Sequence, residues 1–485
     1  MTALDDLEAK IKGTDTWPPK WDTAWATVAK WQAFRESDAD ALKAIAHWRA
    51  TDDRTYFPDP MPAKISGAFA DLNFGEDPEF TAANEKDQDR LTEIVEENRL
   101  PSELQLAADT CVAEGEVWWR ILVDPEQADV PLIRWHSRGQ VLPLIRGRKV
   151  LACAFVSTIA VESNGNTVIR LFEVHGEGTM LNLLFSGTST SLGQPINLSQ
   201  RPETADLPEA WNHALPMLAG RVINKIGRRG NLGISDYAGI TDYLLALNET
   251  ATIGQENARL TLKKRVVVPQ RFLDRNGDFP AGADIIIATD TDTDPDKPGQ
   301  GLAQIEWSFD AQAFIAYKHE LEQTVVARVG LVPQLLGIGS AQDGGGQALT
   351  GPAIKLRYMP ATLAAAGKGR FWDDELPGIL CAAQRVDALT PKQDGLGREW
   401  AEASTPPTVE RSSALPEDET EEATRHQLLV TAELEARQTA IEALHPDWDE
   451  KRVLEELTRI RADIGTVPAI TPPDSTLDPH LPAAT

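Results

Sequence analysis

The chain has 485 residues, of which 42% are hydrophobic and 25% charged, a composition typical of a globular protein with more than one packed region. Its 74 Asp and Glu residues against 47 Lys and Arg residues give a formal net charge of −27, which argues against a protein that holds nucleic acid by neutralising phosphates. Cys111, Cys153 and Cys381 form no paired motif, so neither a disulfide framework nor a zinc site is indicated. No apolar run approaches the roughly 18 residues that a membrane span requires.

The first 231 residues are predicted to begin with helices and to continue as β-structure. Residues 1–57 have a helical pattern with tryptophans at mixed spacing, and further helices are predicted between Lys64 and Ala113. Glu116–Val123 (EVWWRILV) is rich in aromatic and β-branched residues and stops at Asp124–Pro125, as a buried strand followed by a turn would. More strands are predicted at Leu132–Trp135, Val150–Ile159, Thr167–His175 and Thr179–Phe185.

The hydrophobic period changes at Leu232, where a long helix is predicted. Apolar residues recur at helical spacing at Tyr237, Ile240, Leu244, Leu247, Ala251 and Ala258. Ser235 or Asp236 is available as the N-cap, and about seven turns are implied. The helix is expected to end at Lys263–Lys264–Arg265, because cations are favoured at a helix C-terminus.

Two short strands and a second helix follow. The strands are predicted at Val266–Val268 and Ile285–Ile287, around an Asn276–Gly277 turn. The second helix is predicted to begin after Asp310 and to stop at Gly330, before a proline. A small strand-turn-strand unit therefore interrupts two helices.

The last third of the chain is predicted to be helical between polar connections. A glycine-rich loop from Gly337 to Gly351 leads to a long helical stretch, broken at Pro360 and at Gly367–Gly369. After a polar linker, Glu419–Glu442 and Asp447–Ile464 are predicted to form two helices joined at His445–Pro446. Their expected apolar stripe includes Leu428, Leu429, Leu454, Leu457 and Ile460. The last twenty residues are expected to be disordered.

Motifs that would indicate catalysis or ligand binding are weak. The run Gly337–Gly346 lacks the Lys-Ser or Lys-Thr of a P-loop, and a flexible loop is the preferred interpretation. Asp290, Asp292 and Asp294 alternate like the start of a calcium loop, but Pro295 occupies the position of its turn glycine, which favours an exposed acidic loop.

Glu173 and His175 would share one face of a strand and could ligate a metal, although a sheet histidine with an ordinary partner is preferred. No nucleophile elbow, zinc-protease motif or Ser-His-Asp order stands out, so we expect no enzymatic activity and no cofactor.

The densest basic region in the middle of the chain contains Lys263, Lys264, Arg265, Arg271 and Arg275. A helix-end cap explains the first three by itself. Contact with a DNA backbone is the alternative interpretation.

The order of these elements resembles the portal proteins of tailed bacteriophages, in particular the siphophage type found in actinobacterial phages and prophages. The resemblance runs from about Met61 to Leu389. It is carried by MPAKISGAFADLNFGEDP (Met61–Pro78), CVAEGEVWWRILVDPE (Cys111–Glu126), LFEVHGEGTMLNLLFSGTSTSLGQPINL (Leu171–Leu198), LGISDYAGITDYLLALNET (Leu232–Thr250) and VVARVGLVPQLLGIG (Val325–Gly339). The stretch LHPDWDEKRVLEELTRIRADIG (Leu444–Gly465) is similar to the C-terminal part of such proteins.

The resemblance implies an α+β portal-type fold with a mixed α/β wing, a two-helix stem, a small α/β clip and a helical C-terminal crown, assembled as a ring usually of twelve subunits. The implied boundaries are 1–59 for an N-terminal helical extension, 60–231 for the wing, 232–262 for stem helix 1, 263–309 for the clip, 310–330 for stem helix 2, 331–352 for the tunnel loop, 353–390 for wing helices, 391–418 for a linker, 419–465 for the crown and 466–485 for a disordered tail. Gly254 inside the first stem helix and the N-terminal extension depart from the family's pattern.

The implied function is a channel for DNA packaging and ejection at one vertex of the phage head. The DNA-channel candidates are Lys263, Lys264, Arg265, Gln342, Asp343, Gly344, Gly345, Gly346 and Gln347. The candidates for docking partner proteins at the clip are Arg271, Arg275, Asn276, Gly277, Asp290, Asp292 and Asp294.

The implied partners are further copies of the chain, double-stranded DNA bound without sequence specificity, the terminase large subunit, the head-tail adaptor, and the major capsid and scaffold proteins, with no membrane. The implied location is the virion, and the host cytoplasm during assembly. Another head-tail morphogenesis protein is the main alternative. A packaging ATPase and an acidic interaction protein with no viral role are weaker ones.

Overall fold

A computed structural model describes residues 2–47, 55–162, 165–227, 232–262, 309–338, 351–390, 399–411, 419–432, 434–445 and 448–466, together with the backbone of three strands at 265–269, 285–289 and 303–304. In these ranges the α-helices are α1 (Ala3–Lys12), α2 (Ala24–Glu36), α3 (Ala39–Ile45), α4 (Met61–Phe74), α5 (Gln88–Glu97), α6 (Leu100–Glu114), α7 (Thr241–Leu262), α8 (Ala311–Val329), α9 (Gly351–Leu389), α10 (Glu419–Thr431), α11 (Arg437–Leu444) and α12 (Glu450–Thr466).

The strands are β1 (Glu79–Thr81), β2 (Glu116–Leu122), β3 (Leu132–Ser137), β4 (Val141–Arg146), β5 (Lys149–Val161), β6 (Val168–His175), β7 (Thr179–Gly187), β8 (Gln194–Ile196), β9 (Ala210–Asn212), β10 (Ala219–Ile223), β11 (Arg265–Pro269), β12 (Ile285–Thr289), β13 (Ala303–Gln304) and β14 (Thr408–Glu410). The chain is therefore α+β, as predicted. The five strands predicted between Glu116 and Phe185 are all present, whereas β1, β4, β8, β9, β10, β13 and β14 were not predicted individually.

The N-terminal helices are part of the folded body and not a separate extension. Helix α1 places Leu4, Leu7 and Ile11 in the same apolar cluster as Phe172 of the large sheet. Trp17 contributes to this cluster, with its ring edge on Phe172. Helix α2 instead joins the core around α4 and α7.

Two antiparallel sheets form the β-region. The larger has the order β4-β5-β6-β7-β8, with β9 paired to β7, and the smaller has the order β10-β2-β3. Trp119 and Ile121 of β2 are buried in one apolar cluster with α6 and the C-terminal half of α9. The smaller sheet is thus covered by helices.

The two helices with a strand unit between them are present. Helix α7 begins at Thr241, later than predicted, because Ser235 caps a 3-10 turn at Asp236–Gly239 instead of the α-helix itself. Helix α8 has Asp310 as N-cap and Gly330 as a left-handed C-cap, as predicted. Strands β11 and β12 pair in parallel and β13 pairs antiparallel with β11, so the two predicted strands are not the arms of one hairpin.

Helix α9 and the segment after it differ from the prediction. The helix runs without interruption from Gly351 to Leu389, across Pro360 and Gly367–Gly369, so the kinks predicted at these positions do not divide it. Within the described part of the predicted linker, residues 399–411, strand β14 pairs with β1 and Trp400 packs on the core of the smaller sheet. This part of the linker belongs to the folded body.

The C-terminal helices belong to a separate unit that comprises residues 349–353 and 415–485. Three helices are present where two were predicted, because α10 ends at Thr431 and α11 begins at Arg437. Val453 and Leu457 of α12 are buried, but Leu428 and Leu454 of the predicted stripe are exposed. The predicted tail beyond Thr466 lies outside the described residues.

Candidate functional site

The residues singled out from the sequence lie almost entirely outside the described part of the chain. Arg265 is the first residue of β11, of which only the backbone is described. The remaining candidates lie outside the described residues: Lys263, Lys264, Arg271, Arg275, Asn276, Gly277, Asp290, Asp292, Asp294, Gln342, Asp343, Gly344, Gly345, Gly346 and Gln347. Their roles remain predictions, and the described site is the helix pair that flanks them.

Helices α7 and α8 pack closely at Gly254. A Cβ atom at this position would lie 2.5 Å from Cζ of Phe314, so any side chain larger than hydrogen would collide with the ring. Glycine lowers helix stability, and its presence in the interior of α7 is explained by this approach. The departure from the family's pattern at Gly254 is therefore a packing feature.

The same two helices meet again near their other ends. Arg328 of α8 donates a hydrogen bond to the Tyr243 hydroxyl at 2.9 Å, and its guanidinium lies 4.6 Å from the Tyr243 ring centre. Because Gly254 meets Phe314 and the earlier residue Tyr243 meets the later residue Arg328, the helices are antiparallel. Strands β11–β13 therefore come in the chain after the C-terminal end of α7 and before the N-terminal end of α8, which lie at the same end of the helix pair.

A segment before α4 runs along the helix pair. The Asp59 N–H donates to the Asn248 side chain at 2.8 Å, and the Phe57 N–H donates to the Thr252 hydroxyl at 3.0 Å. The Asp59 carboxylate also lies 3.2 Å from the Lys318 ammonium. This segment therefore bonds to both α7 and α8.

The start of α7 is fixed to the helices beneath it. Ser235 donates to the Ala113 carbonyl at 2.5 Å and accepts from the Tyr237 N–H at 3.0 Å. The buried Tyr237 hydroxyl donates to the Pro62 carbonyl at 2.8 Å. Burial raises the pKa of Tyr237, so this hydroxyl stays protonated and remains a donor.

A buried ionic cluster joins α9 to the start of α7. The Lys368 ammonium lies 2.5 Å from one Asp236 oxygen and 2.7 Å from the Asn224 side-chain oxygen, and Lys225 lies 2.7 Å from the other Asp236 oxygen. Lys368, Asp236 and Asn224 are all buried. Burial lowers the pKa of Lys368, although the Asp236 carboxylate acts in the opposite direction.

A second buried cluster lies beside the first. Glu116 at the start of β2 contacts Arg221 at 2.5 Å and Arg138 at 2.9 Å. Arg138 also donates two bonds to Asp22, at 2.9 and 2.8 Å. The Gly233 N–H donates to Glu116 at 3.1 Å, so the chain entering α7 is tied to the smaller sheet as well.

Glu173 and His175, considered as metal ligands from the sequence, are instead part of a contact between the two sheets. His175 Nε2 lies 2.6 Å from Glu173 Oε1, and Arg120 of β2 lies 2.7 Å from Glu173 Oε2. Burial by itself would raise the pKa of Glu173. The hydrogen bond to His175 and the Arg120 charge outweigh burial and lower the pKa to about 2. A salt-bridged carboxylate explains the pair.

His136 completes this contact as a neutral acceptor. Arg120 donates to His136 Nε2 at 3.0 Å, and burial together with the Arg120 charge lowers the His136 pKa to about 4. Within the described residues, no group of three or more His, Cys, Asp and Glu side chains is placed to hold a metal ion. None of the helices in the described ranges has the length and apolar character needed to cross a membrane.

A cavity of about 1100 Å³ opens between α1, the larger sheet and α9. Trp119, Arg148, Arg221, Phe371 and Glu375 are among the residues that line it. Burial, followed by the nearby Asp374 charge, raises the pKa of Glu375 to about 7. The lining combines apolar side chains with charged side chains of both signs, so the cavity indicates no single class of ligand.

Sequence reasoning missed the two buried clusters. Lys368 lies among alanines and glycines (AAAGKGR), which could have indicated a buried lysine. The run was interpreted only as a helix kink. Asp236 was considered only as a helix cap. Neither residue is near the other in sequence, so their pairing required the folded chain.

Comparisons with known proteins give similarity only at the level of solved structures. No protein-family model and no curated protein matches the sequence. A chain described as "Neck of native GTA particle computed with C12 symmetry" is similar at 10% identity and a TM-score of 0.44, covering 84% of this chain and 98% of that chain.

Two further solved structures are similar to the chain. A chain from "Virion of native gene transfer agent (GTA) particle" has 9% identity and a TM-score of 0.41, and covers 91% of this chain and 98% of that chain. A chain from "Neck of empty GTA particle computed with C6 symmetry" has 11% identity and a TM-score of 0.43, and covers 90% of this chain and 96% of that chain.

Proposed function

We propose that this chain is a portal-type ring subunit at the unique vertex of a tailed-phage head. The observation that carries the proposal is the antiparallel pair α7 and α8, with the strand unit β11–β13 inserted between them and the glycine-rich segment following α8. This is the order expected of a stem, a clip, a returning stem and a tunnel loop. The close approach at Gly254 supports a rigid two-helix stem.

The ionic clusters support a mechanical role for the start of the stem. Asp236 bonds to Lys368 and Lys225, and Glu116 bonds to Arg221 and to the chain that enters α7. Buried ion pairs of this kind hold one geometry, because separating the partners leaves an uncompensated charge. A stem that guides moving DNA would need such an attachment to the wing.

The charge of the chain suits a channel through which DNA slides. Each phosphate neutralised by a cation adds affinity through counterion release, so a strongly basic bore would hold the DNA in place. A subunit of net charge −27 avoids that grip. Lys263, Lys264 and Arg265 at the foot of the stem and the loop Gln342–Gln347 are proposed as the few places that touch DNA.

In this proposal the subunit is not an enzyme, and the motor that drives packaging is a separate protein. The terminase large subunit and the head-tail adaptor would dock in succession at the clip, and the capsid and scaffold proteins would surround the wing. Asp290, Asp292 and Asp294 would supply negative charge for these contacts.

Negative-stain electron microscopy of the purified full chain tests the proposal. A closed ring with a central hole wide enough for double-stranded DNA is the expected image. A chain that stays monomeric at every concentration, or that hydrolyses ATP, would overturn it. A ring that binds to portal rings of another phage head in place of the adaptor would instead favour a head-tail adaptor.

A further inference from the structure

In the N-terminal half of α9, three large apolar side chains face outward while two alanines face the core. Ala361 and Ala365 are buried against the core around α7 and α8. Leu356, Met359 and Leu363 are 70%, 50% and 63% exposed. This is the reverse of the usual arrangement of a helix on the surface of a globular protein.

The three exposed side chains form a continuous stripe, because positions three and four residues apart share one face of a helix. The C-terminal half of the same helix is ordinary: Trp372, Leu376 and Ile379 are buried. The stripe is therefore a local property of the part of α9 that follows the glycine-rich segment. A row of exposed large apolar residues marks an interaction surface.

A second exposed apolar surface lies on the N-terminal half of α8. Tyr317 is 53% exposed, and the exposed residues Asp310, Ala313 and Glu320 lie three, four or seven residues from it and so share its side of the helix. Ile315 is also exposed, but it lies two residues from Tyr317 on nearly the opposite side of the helix and is not part of this surface. This α8 surface and the α9 stripe are different surfaces of one folded unit.

The two surfaces have opposite charges around them. Residues 351–372 contain four cations and no Asp or Glu, in a chain whose net charge is −27. Lys355 and Arg370 are exposed at the two ends of the α9 stripe, whereas Asp310 and Glu320 are exposed at the two ends of the α8 surface. An apolar stripe between cations and an apolar surface between carboxylates are complementary.

We propose that the α9 stripe binds the α8 surface of a second copy of this chain. Contact between two different surfaces is heterologous, so it repeats from copy to copy and closes when the rotation between copies allows it. The inference rests on the proposed ring and names the surfaces that hold it together. Leu356, Met359 and Leu363 of one subunit are covered by Ala313 and Tyr317 of its neighbour.

Two variants of the full chain test the pairing. One carries Leu356→Ser and Leu363→Ser in the α9 stripe, and the other carries Ala313→Lys and Tyr317→Ser on α8. Each variant alone lacks one half of every contact and should be monomeric by mass photometry. An equimolar mixture retains one intact stripe and one intact α8 surface, and should form a dimer and stop there.

The matched control is Leu106→Ser on α6, where a single leucine is 60% exposed without an apolar neighbour of this kind. It should assemble as the unaltered chain does. All four substituted residues are exposed, so near-native circular dichroism is expected for both variants.

A cross-link gives an independent measurement. The three natural cysteines are buried, so oxidation of a Leu363→Cys, Ala313→Cys double variant should join only the introduced thiols. A ladder of covalent oligomers is expected on a non-reducing gel. A Leu363→Cys, Leu106→Cys variant should give none.

The failure of this inference differs from the failure of the proposed ring. Variants that still assemble, a mixture that gives no dimer, or a stripe variant that changes only DNA retention on a filter would overturn the pairing while wild-type rings persist. A wild-type chain that is monomeric under all conditions would overturn the ring and this contact together.

Discussion

Lys368 is surrounded by partners that replace the water it loses. Its ammonium is buried between Asp236 and Asn224 and lies 4.5 Å from the centre of the Phe69 ring. Desolvation alone disfavours a charged lysine, and the carboxylate offsets this only while both groups stay in place. Removal of either charge therefore leaves the other buried without its main partner.

Replacing Lys368 by methionine should lower the free energy of unfolding by about 3 kcal/mol, because Asp236 loses its buried partner. The midpoint of urea denaturation of the full chain measures this. Lys43→Met removes a similar lysine from the exposed pair with Asp40 and should cost under about 0.5 kcal/mol. Equal midpoints for the two variants would contradict the assigned role of the buried cluster.

Glu375 should make the protein less stable as the pH rises. Its pKa is raised from 4.5 to about 7 by burial, so the folded state binds more protons than the unfolded state between these values. The contribution of Glu375 to stability is therefore present below pH 4.5 and is lost as the pH rises to about 7.

Glu375→Gln removes this ionisation and should raise stability at pH 8 by about 2 kcal/mol relative to the unaltered chain, with no gain at pH 4. Thermal unfolding at both pH values measures the difference. A variant whose advantage is the same at pH 4 and pH 8 would show that the carboxyl ionises as freely in the folded chain as in the unfolded one.

At the scale of the elements, the contact between α7 and α8 depends on one missing side chain. A Cβ on Gly254 would meet the Phe314 ring at 2.5 Å, whereas a Cβ on Gly67 in α4 would meet nothing within 4 Å. Both glycines are inside helices, so the intrinsic gain from alanine is similar at the two positions. Only the tertiary contact distinguishes them.

Gly254→Ala should therefore destabilise the chain by about 1–2 kcal/mol through overpacking, whereas Gly67→Ala should stabilise it by about 0.5–1 kcal/mol. Denaturation midpoints of the two variants should move in opposite directions. Phe314→Ala added to Gly254→Ala should relieve the collision, and a double variant in which the two effects merely add would argue against the contact.

The sequence predicted α8 well and α9 only in part. Asp310 and Gly330 are local stop signals that act whatever surrounds them, so both ends of α8 could be placed. Pro360 and Gly367–Gly369 are local break signals as well, but α9 continues through them. At Gly369 the Arg411 side chain occupies the space that a Cβ atom would need, so glycine is required there for packing and does not mark a helix end.

For the whole molecule, the acidic charge predicts weak retention of DNA. At about 150 mM salt, the purified chain should not bind linear duplex DNA tightly, because few phosphates are neutralised. A gel-shift titration at several salt concentrations measures this. Tight binding that weakens steeply with added salt would show that many cations face the DNA, contrary to the proposed sliding channel.

Composition and local pattern determined the α+β class, the five strands from Glu116 to Phe185 and the helix, strand unit, helix order, because hydrophobic period and capping residues act within a few positions. The pairing of β11 with β12 in parallel, the buried bonds of Lys368 to Asp236 and the outward stripe of α9 were decided only by tertiary structure. Each depends on segments that are far apart in the chain. The local sequence does not show which distant segment will pack against a given side chain and bury it.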